Sequence, residues 1–208
     1  MDEAPAPALS GPLELIYAVL FQPLAAFARA AARPPLGLAA ASVVVVYSLN
    51  GIMSGINLTR LGGEGLAVTG LAIVTPLAGL FTWVAVTAAL HFTAELLGGS
   101  GRSVALLAAL GLATLVTVFN LPAALVGMAG VTWLQVLLNL GITVWTLTLF
   151  VIALRAVYGL SFARAVLALV IPGAAFAAFL VILAVYFALV LAAVLPLINK
   201  QFPGFPGL

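Results

Sequence analysis

Four long stretches of this chain carry no Asp, Glu, Lys, Arg or His: those between Arg33 and Arg60, between Glu64 and His91, between Arg102 and Arg155, and between Arg164 and Lys200. They hold 26, 26, 52 and 35 residues. A helix rises about 1.5 Å per residue and a bilayer core is about 30 Å thick, so roughly 20 apolar residues make one crossing. The pattern therefore predicts one, one, two and one spans. The expected fold is an all-α polytopic membrane protein with five transmembrane helices, preceded by an amphipathic interfacial helix.

Proline, glycine and the isolated charges place these elements. Residues 1–35 read as a cytoplasmic tail and interfacial helix, 36–198 as the five-helix domain and 199–208 as a short tail that repeats Phe-Pro-Gly. The spans fall at about 36–58, 66–91, 104–126, 131–157 and 174–197. The segment from Pro12 to Ala32 is too short to cross, because the apolar run between Glu14 and Arg29 spans only about 21 Å as a helix. It reads as lying flat. From Pro23, Leu24, Phe27, Ala28 and Ala31 share one face while Arg29 and Arg33 point away, the pattern of a helix at a membrane surface. Pro76 predicts a kink in span two, and Gly127 to Gly130 a tight turn between spans three and four. Ser161 to Val170 reads as a short helix that Pro172 and Gly173 break from span five. Asp2 and Glu3 stand where a signal peptide carries basic residues, so the first residues are expected to be kept.

Composition agrees with a lipid solvent: 65% of residues are hydrophobic and 6% charged, too few to clothe a soluble domain. The net charge of +2 rests on scattered residues and gives no nucleic-acid footprint. No cysteine is present, which removes disulfides, thiolate catalysis and thiolate metal sites. The basic residues instead orient the chain. Arg29, Arg33, Arg102, Arg155 and Arg164 fall on one side and Arg60 and Lys200 on the other, which predicts a cytoplasmic N-terminus and an outside C-terminus. Trp133 and Tyr158 fit interfacial aromatic positions, while Trp83 and Trp145 read as packing between helices.

Candidate chemistry is sparse. His91 is the only histidine and Asp2 the only aspartate, so neither a zinc site of the usual His and carboxylate kind nor an aspartate pair can be assembled, and no motif joins Ser54 to His91. The expectation is a non-enzyme without metal or cofactor. Asn50, Asn120, Gln135 and Asn139 sit inside spans and need partners. They read either as a polar path or as interhelical hydrogen bonds worth about 1 kcal/mol or less each, and the absence of accompanying charges favours the second. His91 and Glu95 share a helical face beside Gly98, Gly99 and Gly101. This spot is a contact point or pH-sensitive pair, or, as the spacing favours, a helix end with a glycine cap and Glu95 paired to Arg102. Gly51 and Gly55 form a small-xxx-small pair that serves a dimer face or packing within the bundle. Asn57-Leu58-Thr59 matches a glycosylation sequon at the membrane edge.

Several segments in order resemble the Yip, or Ypt-interacting-protein, family in its prokaryotic form. They are the pre-span segment from Phe21 to Pro35, the end of span two from Leu90 to Arg102, Asn120-Leu121-Pro122, and Trp145 followed by the segment from Leu154 to Ala165. The resemblance implies an integral membrane non-enzyme with five spans, placed here in a prokaryotic cell membrane. Eukaryotic members sit in endoplasmic reticulum and Golgi membranes, bind Rab-type GTPases and act in vesicle traffic or membrane shaping. This sequence lacks their long cytosolic N-terminal region with its acidic and tyrosine-containing motifs, which puts small-GTPase binding in doubt. The reading that results is a membrane scaffold or adaptor acting by protein contacts or membrane organisation, with the lipid bilayer, a second copy or another membrane protein as partners. Its contact surface is expected at Arg29, Arg33, His91, Glu95, Gly98, Gly99, Arg102, Arg155 and Arg164. The alternative is a small transporter or channel using the intramembrane amides.

Overall fold

Ser-Val-Ala-Leu-Leu-Ala-Ala-Leu-Gly-Leu-Ala, the segment Ser103–Ala113, is apolar on every side and so can be stable only where other helices surround it. In the computed structural model, which describes residues 11–60, 62 and 66–201, this segment is the centre of the bundle, with Ala105, Leu106 and Ala108 to Ala113 all buried. Asp2, Glu3, Gly63, Glu64, the Lys200 side chain and the tail from Phe202 lie outside the described set. The elements are α1 (Pro12–Phe21), α2 (Pro23–Ala32), α3 (Leu36–Arg60), α4 (Leu66–Leu96), α5 (Ser103–Ala113), a 3₁₀ segment (Thr114–Phe119), α6 (Asn120–Met128), α7 (Thr132–Tyr158) and α8 (Phe162–Gln201). Among the described residues there is no strand. Five helical spans are long and apolar enough to cross a membrane: α3, α4, the α5-to-α6 composite, α7 and α8.

The chain divides into two compact units, residues 1–169 and 170–208. In the first, the most extensive helix pair is α3 with α4. Glycine makes that approach close: a Cβ on Gly51 would collide with the Leu71 carbonyl and Thr75, and one on Gly79 would collide with the Tyr47 ring. Gly51, with buried Gly55, therefore serves packing inside the bundle, the intramolecular member of the two readings of that motif. Trp83 Nε1 donates to the Leu107 carbonyl at 2.9 Å, locking α4 to α5 as expected of a tryptophan packed between helices. Trp145 is different. It is 40% exposed, so it is not enclosed between helices as Trp83 is.

The N-terminal arm is built from two short helices rather than one. Pro23 has no N–H to bond with Val19 and disfavours helical geometry at the preceding Gln22, which adopts φ −136°, ψ 55°. Each ten-residue helix extends only about 15 Å, so the arm cannot cross, as the sequence indicated. Its inner face differs from the expected one. Ala26, Phe27 and Ala30 are buried with Leu15, Ala18 and Val19, and α2 packs on α5 and α7. Leu24 stays exposed with Leu13, Tyr17 and Phe21, so the arm is clamped to protein on one side and presents apolar residues on the other. In an alanine-rich helix either stripe is apolar; Phe27 is common to both, and the buried face takes Ala26 and Ala30 beside it in place of Leu24, Ala28 and Ala31. Arg29 and Arg33 are exposed, as expected.

Two prolines shape the later spans in ways that spacing alone did not indicate. Ahead of Pro122 the third span tightens into 3₁₀ winding over Thr114–Phe119, which relieves the clash of the ring with the Val118 carbonyl. Pro172 does not break the chain: α8 runs through it and Gly173 unbroken, correcting the expected short helix at 161–170. Pro172 leaves the Ala168 carbonyl without its i+4 N–H donor. Thr93 Oγ1, which also lies 3.0 and 3.1 Å from the Ala89 and Leu90 carbonyls of its own helix, stands 2.9 Å from that oxygen, the shortest of the three, where its single O–H can replace the lost donor. A donor from another helix is invisible to a local reading of α8. In the second unit α8 continues to Gln201, and from Val170 onward no described side chain is buried.

Replacing Thr93 by Val should therefore cost about 1–3 kcal/mol, since it strands a buried carbonyl. The same change in a Pro172→Ala background, which restores the missing N–H, should cost clearly less. A double-mutant cycle on thermal or denaturant unfolding in detergent reads this coupling. Additive effects would mean that Thr93 does not stand in for the lost donor.

Candidate functional site

Polar side chains gather at two places in the first unit, one at each end of its long helices. At the Arg102 end, α4 closes in a Schellman motif: Gly98 N–H donates to the Glu95 carbonyl and Gly99 N–H to the Ala94 carbonyl, both at 2.9 Å, with Gly98 at φ +83°. The glycine cap expected there is present. The following loop lies directly on the end of α7. A Cβ at Gly99 would stand 2.9 Å from the Tyr158 Cβ, and one at Gly101 would stand 2.7 Å from the Val157 carbonyl, so neither position can carry a side chain without displacing α7. Ser100 N–H reaches the Tyr158 carbonyl at 3.4 Å.

Tyr158 is the centre of this knot. It is only 3% exposed, and its hydroxyl meets His91 Nδ1 at 2.5 Å. The interfacial aromatic role expected of it is thus replaced by an internal one, because the glycine loop folds over its ring. His91 Nε2 in turn lies 3.6 Å from Glu95 Oε1. A neutral imidazole protonated at Nε2 satisfies both contacts, accepting from the tyrosine and facing the carboxylate. The expected Glu95–Arg102 pair does not form. Arg102 Nη2 instead donates to the Ala31 carbonyl at 2.9 Å, capping the C-terminus of α2 where helix carbonyls lack partners. The knot thereby joins α2, α4 and α7. Arg29, Arg33, Glu95, Gly98, Arg155 and Arg164 are exposed around it, and Gly99 and His91 are half-buried. Among the described residues, Arg29, Arg33, Arg155 and Arg164 have no ion pair or side-chain hydrogen bond.

At the Arg60 end the structure brings together all four intramembrane amides singled out by sequence. Asn50 on α3, Asn120 on α6, and Gln135 and Asn139 on α7 line one cleft of about 350 Å³ with Ser54, Asn57 and Thr143. Asn50 and Asn57 stand two turns apart on α3, and Gln135, Asn139 and Thr143 follow at four-residue steps on α7, so each helix turns one polar stripe inward. A second cavity of about 610 Å³ shares Asn57, Ala124 and Gln135 and extends to Arg60, Thr132 and Gly127. Gly127 allows this closeness, since a Cβ there would overlap the Gln135 amide.

The expected interhelical hydrogen bonds are not made. Among the described residues, none of the amide side chains of Asn50, Asn57, Asn120, Gln135 and Asn139 has a hydrogen-bond partner. These groups remain accessible from the cleft, and no fully buried described side-chain nitrogen or oxygen is left unsatisfied. Asn50 is ten residues before Arg60, so the cleft descends about 15 Å, roughly to the middle of the hydrocarbon core. Farther along, α3 buries Val43 and Val46 and α7 buries Leu149, which ends the polar stripe. Sequence reading missed Ser54, Asn57, Arg60 and Thr143 as members. The seven-residue step from Asn50 to Asn57 was the signal that could have found Asn57. Ser54 sits here, away from His91, so these two residues form no nucleophile and base pair. No cluster of three or more His, Cys, Asp or Glu suited to a metal occurs among the described residues.

If the amides are unpartnered within the chain, removing them should not weaken the bundle. Asn139→Leu and Gln135→Leu should leave the unfolding midpoint in detergent unchanged or raised, whereas Trp83→Phe, which breaks a made interhelical bond, should cost about 0.6–1.7 kcal/mol. Losses of that size in both amide variants would show that they hold the helices together.

Searches among characterised proteins and among solved structures return no match for this chain. The profile of the Yip1 domain matches residues 17–184 of the 208, from the second half of α1 into α8, and thus includes both the knot and the cleft. With five apolar membrane-crossing helices and a match over most of its length, this integral membrane protein belongs to the Yip1 domain family.

Proposed function

We propose that this chain is a membrane-embedded adaptor that captures a partner protein at its Arg102 end. The observation that supports the reading is the set of arginines around the glycine knot: Arg29, Arg155 and Arg164 on helices and Arg33 at the C-cap of α2 are exposed, and none has an ion pair among the described residues. A cation without an ion pair among the described residues is available to an acidic partner. Arg29 and Arg33 also line a groove of about 300 Å³ with Leu15, Leu38 and Pro35, where an acidic side chain with an apolar neighbour would fit. The knot keeps these groups in fixed relative positions, which lowers the ordering cost of binding. Basic residues favour cytoplasmic flanks, so this end faces the cytoplasm, with the N-terminus inside and the C-terminus outside. The partner is another membrane protein or a second copy of this chain.

A second reading, a small transporter or channel, draws on the amide cleft. It is the weaker one, because the cleft stops against Val43, Val46 and Leu149 at mid-depth and broken helices of the transporter kind are lacking at α8.

The adaptor reading is tested by in-membrane crosslinking and pull-down. Arg29→Gln, Arg33→Gln, Arg155→Gln and Arg164→Gln combined should lower partner or self capture about tenfold to a hundredfold, an effect that added salt should mimic. Arg60→Gln should leave capture unchanged. Equal capture by the quadruple variant, or recovery of no partner and no self-contact with the parent chain, would reject the reading.

A further inference from the structure

The cleft at the Arg60 end poses a physical problem that the adaptor reading does not touch. Five carboxamides line a cavity within the membrane-crossing helices, and among the described residues none has a hydrogen-bond partner. Leaving such groups against hydrocarbon costs several kcal/mol each in the least compensated case. The flanking positions on the same three helices are apolar and exposed: Ile52 and Leu58 on α3, Leu125 on α6, Val136 and Leu140 on α7. A molecule reaching the cleft from the side is therefore a lipid.

The chemistry of the lining selects which part of a lipid. Carboxamides and the hydroxyls of Ser54 and Thr143 donate and accept without charge, which suits hydroxyl, ester and phosphate oxygens. Among the described residues no acidic side chain lines either cavity, so a cationic group would find no countercharge among them. Arg60 stands at the mouth, exposed and without an ion pair among the described residues, as an anchor for a phosphate oxygen. The two connected cavities, about 350 and 610 Å³, lie in the range of sites for small ligands. We infer that this cleft is a binding site for the headgroup of an anionic, hydroxylated phospholipid, with its phosphate at Arg60, its polar substituent among Asn57, Gln135 and Asn139, and its acyl chains outside along α6 and α7.

The site is independent of the arginine-rich end, so either assignment can fail alone. The test uses the full chain purified in detergent and titrated with dioleoyl phosphatidylglycerol or dioleoyl phosphatidylcholine, with binding read by native mass spectrometry. The inference expects about one phosphatidylglycerol per chain, bound about tenfold more tightly than phosphatidylcholine. Arg60→Gln should remove that preference, Arg60→Lys should retain most of it, and Arg155→Gln, which removes the same charge from the other end, should retain it. Asn139→Leu with Gln135→Leu should weaken binding of phosphatidylglycerol at unchanged unfolding midpoint. Glycerol 3-phosphate at millimolar concentration should not displace the lipid. Displacement by it would assign the cleft to a soluble phosphate instead. Equal losses in Arg60→Gln and Arg155→Gln would reduce the effect to general charge, and undiminished binding by the double leucine variant would show that the amides take no part. Each of these three results overturns the inference.

Discussion

A polar group that leaves water for hydrocarbon must find a partner, and this requirement governs nearly every feature of the protein. Helices satisfy the backbone except at their ends and at prolines, and those exceptions are where specific side chains act. Arg102 supplies a donor to the open carbonyl end of α2. Thr93 supplies one to the carbonyl that Pro172 leaves bare, which lets α8 cross without a break. Gly98 and Gly99 turn the end of α4 back on itself and fold the following loop onto Tyr158. The amides of α3, α6 and α7 are the exception: among the described residues they find no hydrogen-bond partner.

How much of this was legible in the sequence depended on the range of the interaction. The span count needs only the positions of the charges, and the five apolar helices follow from it. Glycine caps and proline-rich starts are local patterns, so the end of α4 and the turn at Gly130 were also readable. The continuity of α8 was not, because its repair comes from Thr93, 75 residues away in the chain. Tyr158 was misplaced for the same reason: alone it resembles an interfacial aromatic, and only the docking of a glycine loop from α4 buries it. The amides were recognised one by one, yet their meeting in one cleft depends on how three helices rotate about their axes.

The two ends of the first unit divide the polar chemistry between them. The Arg102 end is charged, ordered and exposed, and its arginines have nothing within the described chain to neutralise them. At the Arg60 end the described lining of the cleft is neutral apart from Arg60 at the mouth, and its polarity faces into the membrane. A matching family profile that spans both ends ties neither to a role, so each surface has to be argued from its own chemistry. Charge without a partner points to an acidic partner outside the membrane. Neutral hydrogen-bonding groups without a partner point to a headgroup within it.

The claim on which this division rests is that the amide cleft is open to polar molecules in the folded chain. The natural sequence contains no cysteine, so single cysteines can be introduced without removing any. Cysteine placed at Asn57, Asn120 or Asn139 and at the outward-facing Val136 or Leu140 can be exposed to a membrane-impermeant maleimide in vesicles. The account predicts that the three cleft positions react from the Arg60 side while Val136 and Leu140 stay protected by lipid. Protection of Asn57, Asn120 and Asn139 equal to that of Val136 and Leu140 would contradict it, and would mean that the cleft is sealed.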